Sequence, residues 1–179
     1  MSRRSRRALA TIVVVGLGLA ACESGSNQVD EERVERLLAE PVMAKRPDGA
    51  TVVQEPIGLV SERENPQYLD GGPNGALLQL QLPADASLEE IGRDYAGSVE
   101  GDGWQTITIQ CIESRQTDSV RIGGRKWLDD FEASLSIEIN EPLKPGDDTH
   151  VSVSLSAPFH TSNGERPDDA ESVNNCDWK

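Results

Sequence analysis

Histidines, cysteines and clustered carboxylates are the residues of this chain whose types could do covalent or metal chemistry, and their spacing separates most of them. His150 and His160, the two histidines, lie at opposite ends of one alternating segment, so they are about 33 Å apart if that segment is extended. They therefore cannot share a metal ion. Asp147 and Asp148 precede His150, but they follow a Pro-Gly pair in a predicted turn, where acidic residues are common. We expect no metal and no cofactor.

A Cys-His pair is the first of two enzymatic interpretations. Cys111 and His150 could supply the nucleophile and the base of a small cell-wall hydrolase. An activated thiolate needs a partly exposed, electropositive setting, whereas Cys111 shares the inward face of an alternating segment with Ile107 and Ile109. The chain also contains no Gly-x-Ser-x-Gly turn of the kind that carries a serine nucleophile. The sequence therefore disfavours both chemistries.

Adjacent carboxylates offer the second enzymatic interpretation, because pairs such as Glu89-Glu90 and Asp129-Asp130 could act as acid and base on sugars. Adjacent side chains point in different directions, however, and 31 acidic residues make chance pairs frequent. Tryptophans could stack on sugar rings, but in a chain with seven aromatic residues a place in or beside the core explains them better. They are Trp104, Trp127 and Trp178. We therefore expect no catalytic residue and no enzyme activity.

The first 21 residues have the layout of a secretion signal. Four arginines within the first seven residues precede an uncharged run of 14 residues, from Ala8 to Ala21. This run is shorter than the roughly 20 residues that span a bilayer, and it ends in small residues rather than in a basic patch. We therefore predict that residues 1–21 are cleaved. General secretion is the default route, and Arg6-Arg7 leaves twin-arginine export open as the alternative.

A four-residue motif closes this signal. Leu19-Ala20-Ala21-Cys22 resembles the lipobox of bacterial lipoproteins, in which an aliphatic residue and two small residues precede a cysteine. The resemblance implies that lipid is attached to Cys22 and that a peptidase cuts before it. Two acyl chains hold a protein stably on a membrane, so the membrane would be a partner through the lipid on Cys22. We expect the domain to lie on the extracytoplasmic face of the cell membrane.

Strong negative charge limits the other partners. The chain carries 17 basic and 31 acidic residues, a net charge of −14. Loss of the four leader arginines would leave 13 basic residues and a net charge near −18. Such a surface repels nucleic-acid phosphates and anionic lipid headgroups. We therefore expect no nucleic-acid partner.

Two cysteines remain if Cys22 carries lipid. Cys111 and Cys176 form an even pair in an exported domain, which favours a disulfide between them. Closing a loop of this length would stabilise the fold by roughly 4 kcal/mol. The bridge should lie at the core side or at the end of the strand that holds Cys111.

Composition divides the chain into five segments. We predict a signal peptide over residues 1–21, a flexible tether over 22–29, a short helix over 30–40, an α+β domain over 45–160, and an acidic tail over 161–179 that the disulfide staples. The tether is small and polar, and the short helix has apolar residues at helical spacing before a proline ends it.

Alternation of apolar and polar residues predicts the strands of the α+β domain. The stretch around Pro56 is β-prone but interrupted, which suggests an edge strand or an extended arm. Ser87 and Glu90 form a capping box at the start of a helix with one apolar stripe. Gly123-Gly124 predicts a tight hairpin turn. Four segments alternate, and they include Leu78, Leu80 and Leu82; Ile107, Ile109 and Cys111; Ala133, Leu135, Ile137 and Ile139; and Val151, Val153, Leu155 and Ala157.

Polar residues on one face of so many strands indicate a sheet that is covered on one side only, which favours antiparallel pairing. The predicted fold is a single α+β domain with a four- or five-stranded antiparallel sheet. One helix, starting at Ser87, packs on one face, and a short N-terminal helix precedes the domain.

A non-enzymatic module that binds an envelope protein or a cell-wall component is the leading functional prediction, and a small cell-wall hydrolase is the alternative. The chain resembles the small acidic lipoproteins of high-GC Gram-positive bacteria in composition and layout, a resemblance that transfers no activity and no site residue. A cleft lined by Asp or Glu would favour an enzyme. An exposed apolar patch or a bare sheet edge would favour a partner-binding module.

Overall fold

The structure, a computed structural model, describes residues 24–59, 74–113, 117–142, 144, 146–157 and 173–177. The predicted secretion signal, Cys22, His160, Trp178 and most of the predicted acidic tail lie outside these residues. The helices are α1 (Ser24–Leu38), α2 (Pro41–Ala44) and α3 (Leu88–Gly101). The strands are β1 (Thr51–Leu59), β2 (Asn74–Leu82), β3 (Gln105–Ile112), β4 (Ser119–Leu128), β5 (Phe131–Asn140), β6 (Thr149–Ala157) and β7 (Val173–Asn174).

All seven described strands belong to one mixed sheet, in the order β1-β2-β6-β5-β4-β3-β7. Neighbouring strands are antiparallel except β7, which runs parallel to β3. The predicted four- or five-stranded antiparallel sheet with one packed helix is therefore wrong. The sheet is larger and mixed, and the described residues include three helices.

Part of the error in the predicted sheet comes from the Gly123-Gly124 pair. Gly123-Gly124 predicts a hairpin turn, but β4 runs straight through the pair. A Cβ atom on Gly123 would lie 2.8 Å from the Oγ1 of Thr108 on β3, so this glycine permits a close approach of neighbouring strands. The chain turns instead at Asp129-Asp130, where Asp129 has a φ of 55°, a conformation that Asp tolerates better than most residues.

The rest of the error in the predicted fold comes from elements that are short or irregular. β1 contains Pro56, and the structure places it at the sheet edge, which is one of the two predicted alternatives. β7 has two residues, too few for any alternation to mark it. α2 begins at Pro41, the residue predicted only to end a helix, because proline is well tolerated in the first turn of a new helix.

The first helix is longer than the sequence predicts. α1 begins at Ser24, whereas the pattern predicts a tether over 22–29 and a helix only from Asp30. Glycine, serine and asparagine are weak helix formers, so composition gives no helical signal in this stretch. Val34 and Leu37, two of the residues that predict the helix, are buried against the sheet.

Helices cover one face of the sheet. α1 contacts β1, β2 and β6, and α3 contacts β3, β4 and β5. Buried positions alternate along β2, β5 and β6, and their side chains form one core with those of the helices. The predicted one-sided burial is therefore confirmed.

The predicted helix after Ser87 is also confirmed. Ser87 is the N-cap of α3, and its hydroxyl accepts a hydrogen bond of 3.3 Å from the backbone N–H of Glu90. Ile91, Tyr95 and Val99 are buried on one stripe of the helix. This stripe covers the half of the sheet that α1 does not reach.

β7 is held mainly by the disulfide. The backbone N–H of Asn175 donates to the carbonyl of Ile109 at 3.1 Å, and that of Cys111 donates to the Oδ1 of Asn175 at 2.8 Å. Each such hydrogen bond contributes about 1 kcal/mol, whereas ordering residues 173–177 costs at least about 5 kcal/mol of backbone entropy. The Cys111–Cys176 bridge spans 65 residues of sequence and is worth roughly 4 kcal/mol in the chain-entropy model.

A glycine lets α1 approach β1 closely. A Cβ atom on Gly58 would overlap the Cγ1 of Val34 and would lie 3.3 Å from the Cδ1 of Leu38. Val34 is buried and β-branched, so its side chain has little rotational freedom to move aside. The docking of α1 therefore requires glycine at position 58.

One buried phenol has no hydrogen-bond partner. Tyr95 is fully buried, and its hydroxyl has no partner among the described residues. The Nζ atom of Lys45 lies 5.5 Å from the ring centre. Burial raises the pKa of Tyr95, because the phenolate would lose its hydration.

We predict that Gly58→Ala lowers the free energy of unfolding by about 1–3 kcal/mol, because the new methyl group displaces α1. Gly97→Ala is the matched control. Position 97 is an exposed position within α3 with open space around a Cβ atom, so this change should raise stability by up to about 1 kcal/mol through helix propensity. Urea unfolding of both variants measures the difference, and equal effects at the two glycines would contradict the close packing.

We predict that Tyr95→Phe leaves the free energy of unfolding at pH 7 unchanged or raises it by up to about 1 kcal/mol, because it removes a buried hydroxyl without a partner. Above about pH 10 the unfolded phenol ionises while the folded one keeps its proton. The wild-type protein should therefore lose stability relative to the variant as the pH rises, by about 1.4 kcal/mol per pH unit. Urea unfolding of both proteins at pH 7 and pH 11 tests this. A large loss in the variant at pH 7 would show that the hydroxyl is satisfied.

Candidate binding surface

The two cysteines predicted to pair do form a disulfide. Cys111, on the inward face of β3, and Cys176 are joined, with their Cα atoms 5.1 Å apart. Both side chains pack at the margin of the core. The Cys-His interpretation needs Cys111 as its nucleophile. Only a free thiolate attacks a substrate, and the sulfur of Cys111 is bonded to that of Cys176.

Asp129, Asp130 and Glu89 form ion pairs within the fold. Asp129 and Asp130 form the β4–β5 turn, and the guanidinium of Arg36 lies 3.3 Å from a carboxylate oxygen of Asp129 and 2.8 Å from one of Asp130. Arg33, which is buried, lies 3.7 Å from Asp130. These contacts fasten α1 to the turn. On α3, Glu89 pairs with Arg93, one helical turn away.

A second side-chain contact joins the start of α2 to β4. The carboxylate of Glu40 accepts a hydrogen bond of 2.8 Å from the Nζ of Lys126, and this ammonium lies 5.8 Å from the centre of the Trp104 ring. Trp104 is buried, which confirms its predicted place in the core. The tryptophan is therefore not available to stack on a sugar.

Two open surface depressions contain carboxylates. The first has a volume of about 270 Å³ and lies beside exposed His150, with Glu141, Asp147 and Asp148 among its lining residues. The second, of about 420 Å³, is lined in part by Cys111 and Cys176, the two cysteines of the disulfide. No group of three His, Cys, Asp or Glu side chains in the described ranges is arranged to hold a metal ion. His160 lies outside those ranges.

The face of the sheet opposite the helices is polar. Its residues alternate with the core residues along β2, β5 and β6 and are half-buried or exposed. Two cross-strand ion pairs lie on this face, Arg121 with Glu138 at 3.3 Å and Arg125 with Glu132 at 3.8 Å. We call this surface the open face. In its central strands it consists of Gln79, Gln81, Glu132, Ser134, Ser136, Glu138, His150, Ser152, Ser154 and Ser156.

Apolar side chains gather at one corner of the open face. Leu77 alternates with the buried residues of β2, so it points away from the helices, and Ile57 of β1 lies directly opposite it in the ladder. Leu59 follows two residues later on the same face. Ile57 is 40% exposed and Leu59 is 47% exposed. We call these three residues the apolar corner.

The corner adjoins a strand edge. β1 is the last strand of the sheet, and within the described part of the chain no strand pairs with its outer side. Val53, which is 55% exposed, also belongs to β1. Pro56 and two register shifts interrupt the strand, and such features oppose uncontrolled pairing of edges between identical molecules. This edge is therefore more suited to side-chain contacts than to an extended backbone ladder.

Sequence reasoning missed the corner. The alternation of Ile57, Gly58 and Leu59 was the available signal, since a glycine between two large apolar residues can mark a close contact on one face and an apolar pair on the other. The outward position of Leu77 could not be predicted, because Leu77 lies next to Leu78 and the sequence does not show which of the two leucines faces the core. Only the register between β1 and β2 shows which leucine faces outward.

Comparison with known proteins adds no assignment, because the chain matches no protein family and no curated protein. Among the described residues, no helix has the length and apolar character that crossing a bilayer requires. The candidate binding surface therefore rests on its own geometry.

Proposed function

We propose that the protein is a lipid-anchored envelope protein whose sheet domain binds a partner protein through the apolar corner and the neighbouring edge of β1. The observation that carries this proposal is the concentration of exposed large apolar side chains on one edge strand: Val53, Ile57 and Leu59 all belong to β1. Exposed apolar residues grouped at a sheet edge are typical of surfaces that another chain covers.

The anchor rests on the sequence. Leu19-Ala20-Ala21-Cys22 resembles the lipobox, the motif whose cysteine carries the lipid in bacterial lipoproteins. Cys22 is two residues before the start of α1, and α1 packs against β1 and β2. A partner that meets the apolar corner would therefore itself be a membrane or envelope protein of the same compartment.

Charge favours a partner with a basic surface. The chain has a net charge of −14. The carboxylate of Glu55, on β1 itself, is paired with Arg46 at 3.4 Å and remains largely exposed. Opposite charges around an apolar contact raise the rate of association and exclude wrong partners. We therefore infer an apolar contact segment flanked by lysine or arginine.

A photoreactive amino acid at position 53 tests this proposal in the full chain in native membranes. We expect a discrete crosslinked protein, and we expect Ile57→Lys with Leu59→Lys to reduce that product at least about tenfold. Both side chains are exposed, so the double variant should keep its free energy of unfolding within about 0.5 kcal/mol for each change. Mass spectrometry of the product would identify the partner.

Three controls make the outcome decisive. The same photoreactive group at Ser134, three strands away on the open face, should give no equivalent product. Ser134→Lys should leave the product from position 53 intact, although it also adds a positive charge to the same face. Cys22→Ala should release the protein from the membrane pellet. A product that survives the double substitution would contradict binding through the apolar corner, and a Cys22→Ala protein that stays in the pellet would contradict the anchor.

A further inference from the structure

The C-terminal residues 173–177, which we call the strap, lie against the other edge of the sheet. Val173 and Asn174 pair in parallel with Thr108 and Ile109 of β3. Beyond this short ladder, the side chain of Asn175 accepts the backbone N–H of Cys111 at 2.8 Å. The strap therefore occupies the outer hydrogen-bonding groups at the centre of β3.

Little besides the disulfide holds the strap in this position. Val173 is 54% exposed, and Asn174, Asn175 and Asp177 are exposed as well. Cys176 is the one strap residue that packs against the core. The few hydrogen bonds to β3 are worth less than the entropy lost when five residues become ordered. The strap should therefore leave β3 when the bridge is broken.

The rest of the fold does not depend on the strap. The core that joins the helices to β2, β3, β4, β5 and β6 consists of residues from positions 37 to 157, and the strap contributes only the partly buried Cys176 at its margin. Loss of the strap therefore removes no fully buried side chain of this core. The sheet should persist with β3 as its new edge.

The bridge is accessible from solvent. Cys111 and Cys176 line an open depression of about 420 Å³ together with Glu89, Glu113 and Asp177. A small dithiol can enter an opening of this volume. Accessibility of this kind distinguishes a bridge that can be exchanged from one that is sealed in a core.

We infer that the Cys111–Cys176 disulfide is a redox lock, and that its reduction releases the strap and exposes the outer edge of β3. The reductant is a dithiol. One of its thiolates attacks a sulfur of the bridge, the sulfur–sulfur bond breaks, and the other cysteine leaves as a thiolate and takes up a proton. The second thiol of the reductant then attacks the mixed disulfide. Both cysteines end as thiols, and the reductant ends as its own disulfide.

This inference is independent of the proposed function, which concerns the opposite edge of the sheet. The oxidised protein would then present the β1 edge alone, and the reduced protein would present both edges. The redox state of the compartment would thereby decide whether the outer edge of β3 is exposed.

Amide hydrogen exchange of the full chain in detergent, followed by nuclear magnetic resonance with and without dithiothreitol, tests the lock. On reduction we expect exchange at the amides of Asn175 and Cys111 to accelerate at least about 100-fold. The amides of Ile137 and Val153, in the central strands, should change less than about threefold. Cys176→Ser without reductant should reproduce the reduced wild-type protein, which excludes a side effect of dithiothreitol.

Two results would overturn the inference. Continued protection of Asn175 and Cys111 after reduction would show that the strap stays docked without the covalent bond. Loss of protection at Ile137 and Val153 as well would show that the bridge holds the whole fold rather than the strap. Neither result bears on the apolar corner, so the two proposals fail separately.

Discussion

The register of the sheet is the constraint on which the rest of the structure depends. Apolar residues alternate with polar ones along β2, β5 and β6, and the ladders align them so that Leu78, Val153 and Ile137 lie side by side. A shift of one residue in any of these strands would move its apolar row to the opposite face. Because the register aligns these rows, the helices have one continuous apolar surface to cover, and the opposite face is left polar.

The helices meet this surface through specific side chains. Gly58 lets Val34 reach the sheet, and Arg33 and Arg36 bind the turn between β4 and β5. The open face and the strand edges are then the surfaces available for contact with other molecules, and the two edges differ in kind. The edge at β1 carries exposed apolar side chains, whereas the edge at β3 is covered by a strap that a disulfide holds.

Strong local patterns could be predicted from the sequence, and features that depend on neighbouring strands could not. The leucines around Leu80, the Ser87 cap and the Cys111–Cys176 pair each carry a signal in the chain itself, and the structure confirms them. Gly123 misled the prediction, because its role is set by Thr108 on the adjacent strand. The apolar corner was out of reach for the same reason, since the outward direction of Leu77 and Ile57 is fixed by their pairing.

The central claim is that the apolar corner is exposed in the isolated protein and covered by a partner in the membrane. Hydroxyl-radical footprinting of the purified full chain and of intact native membranes tests it most directly. Binding through the apolar corner predicts that Ile57 and Leu59 are labelled readily in the purified protein and at least about fivefold less in native membranes, while Val173 on the far edge is labelled equally in both. Equal labelling of Ile57 and Leu59 in the two samples would contradict the account.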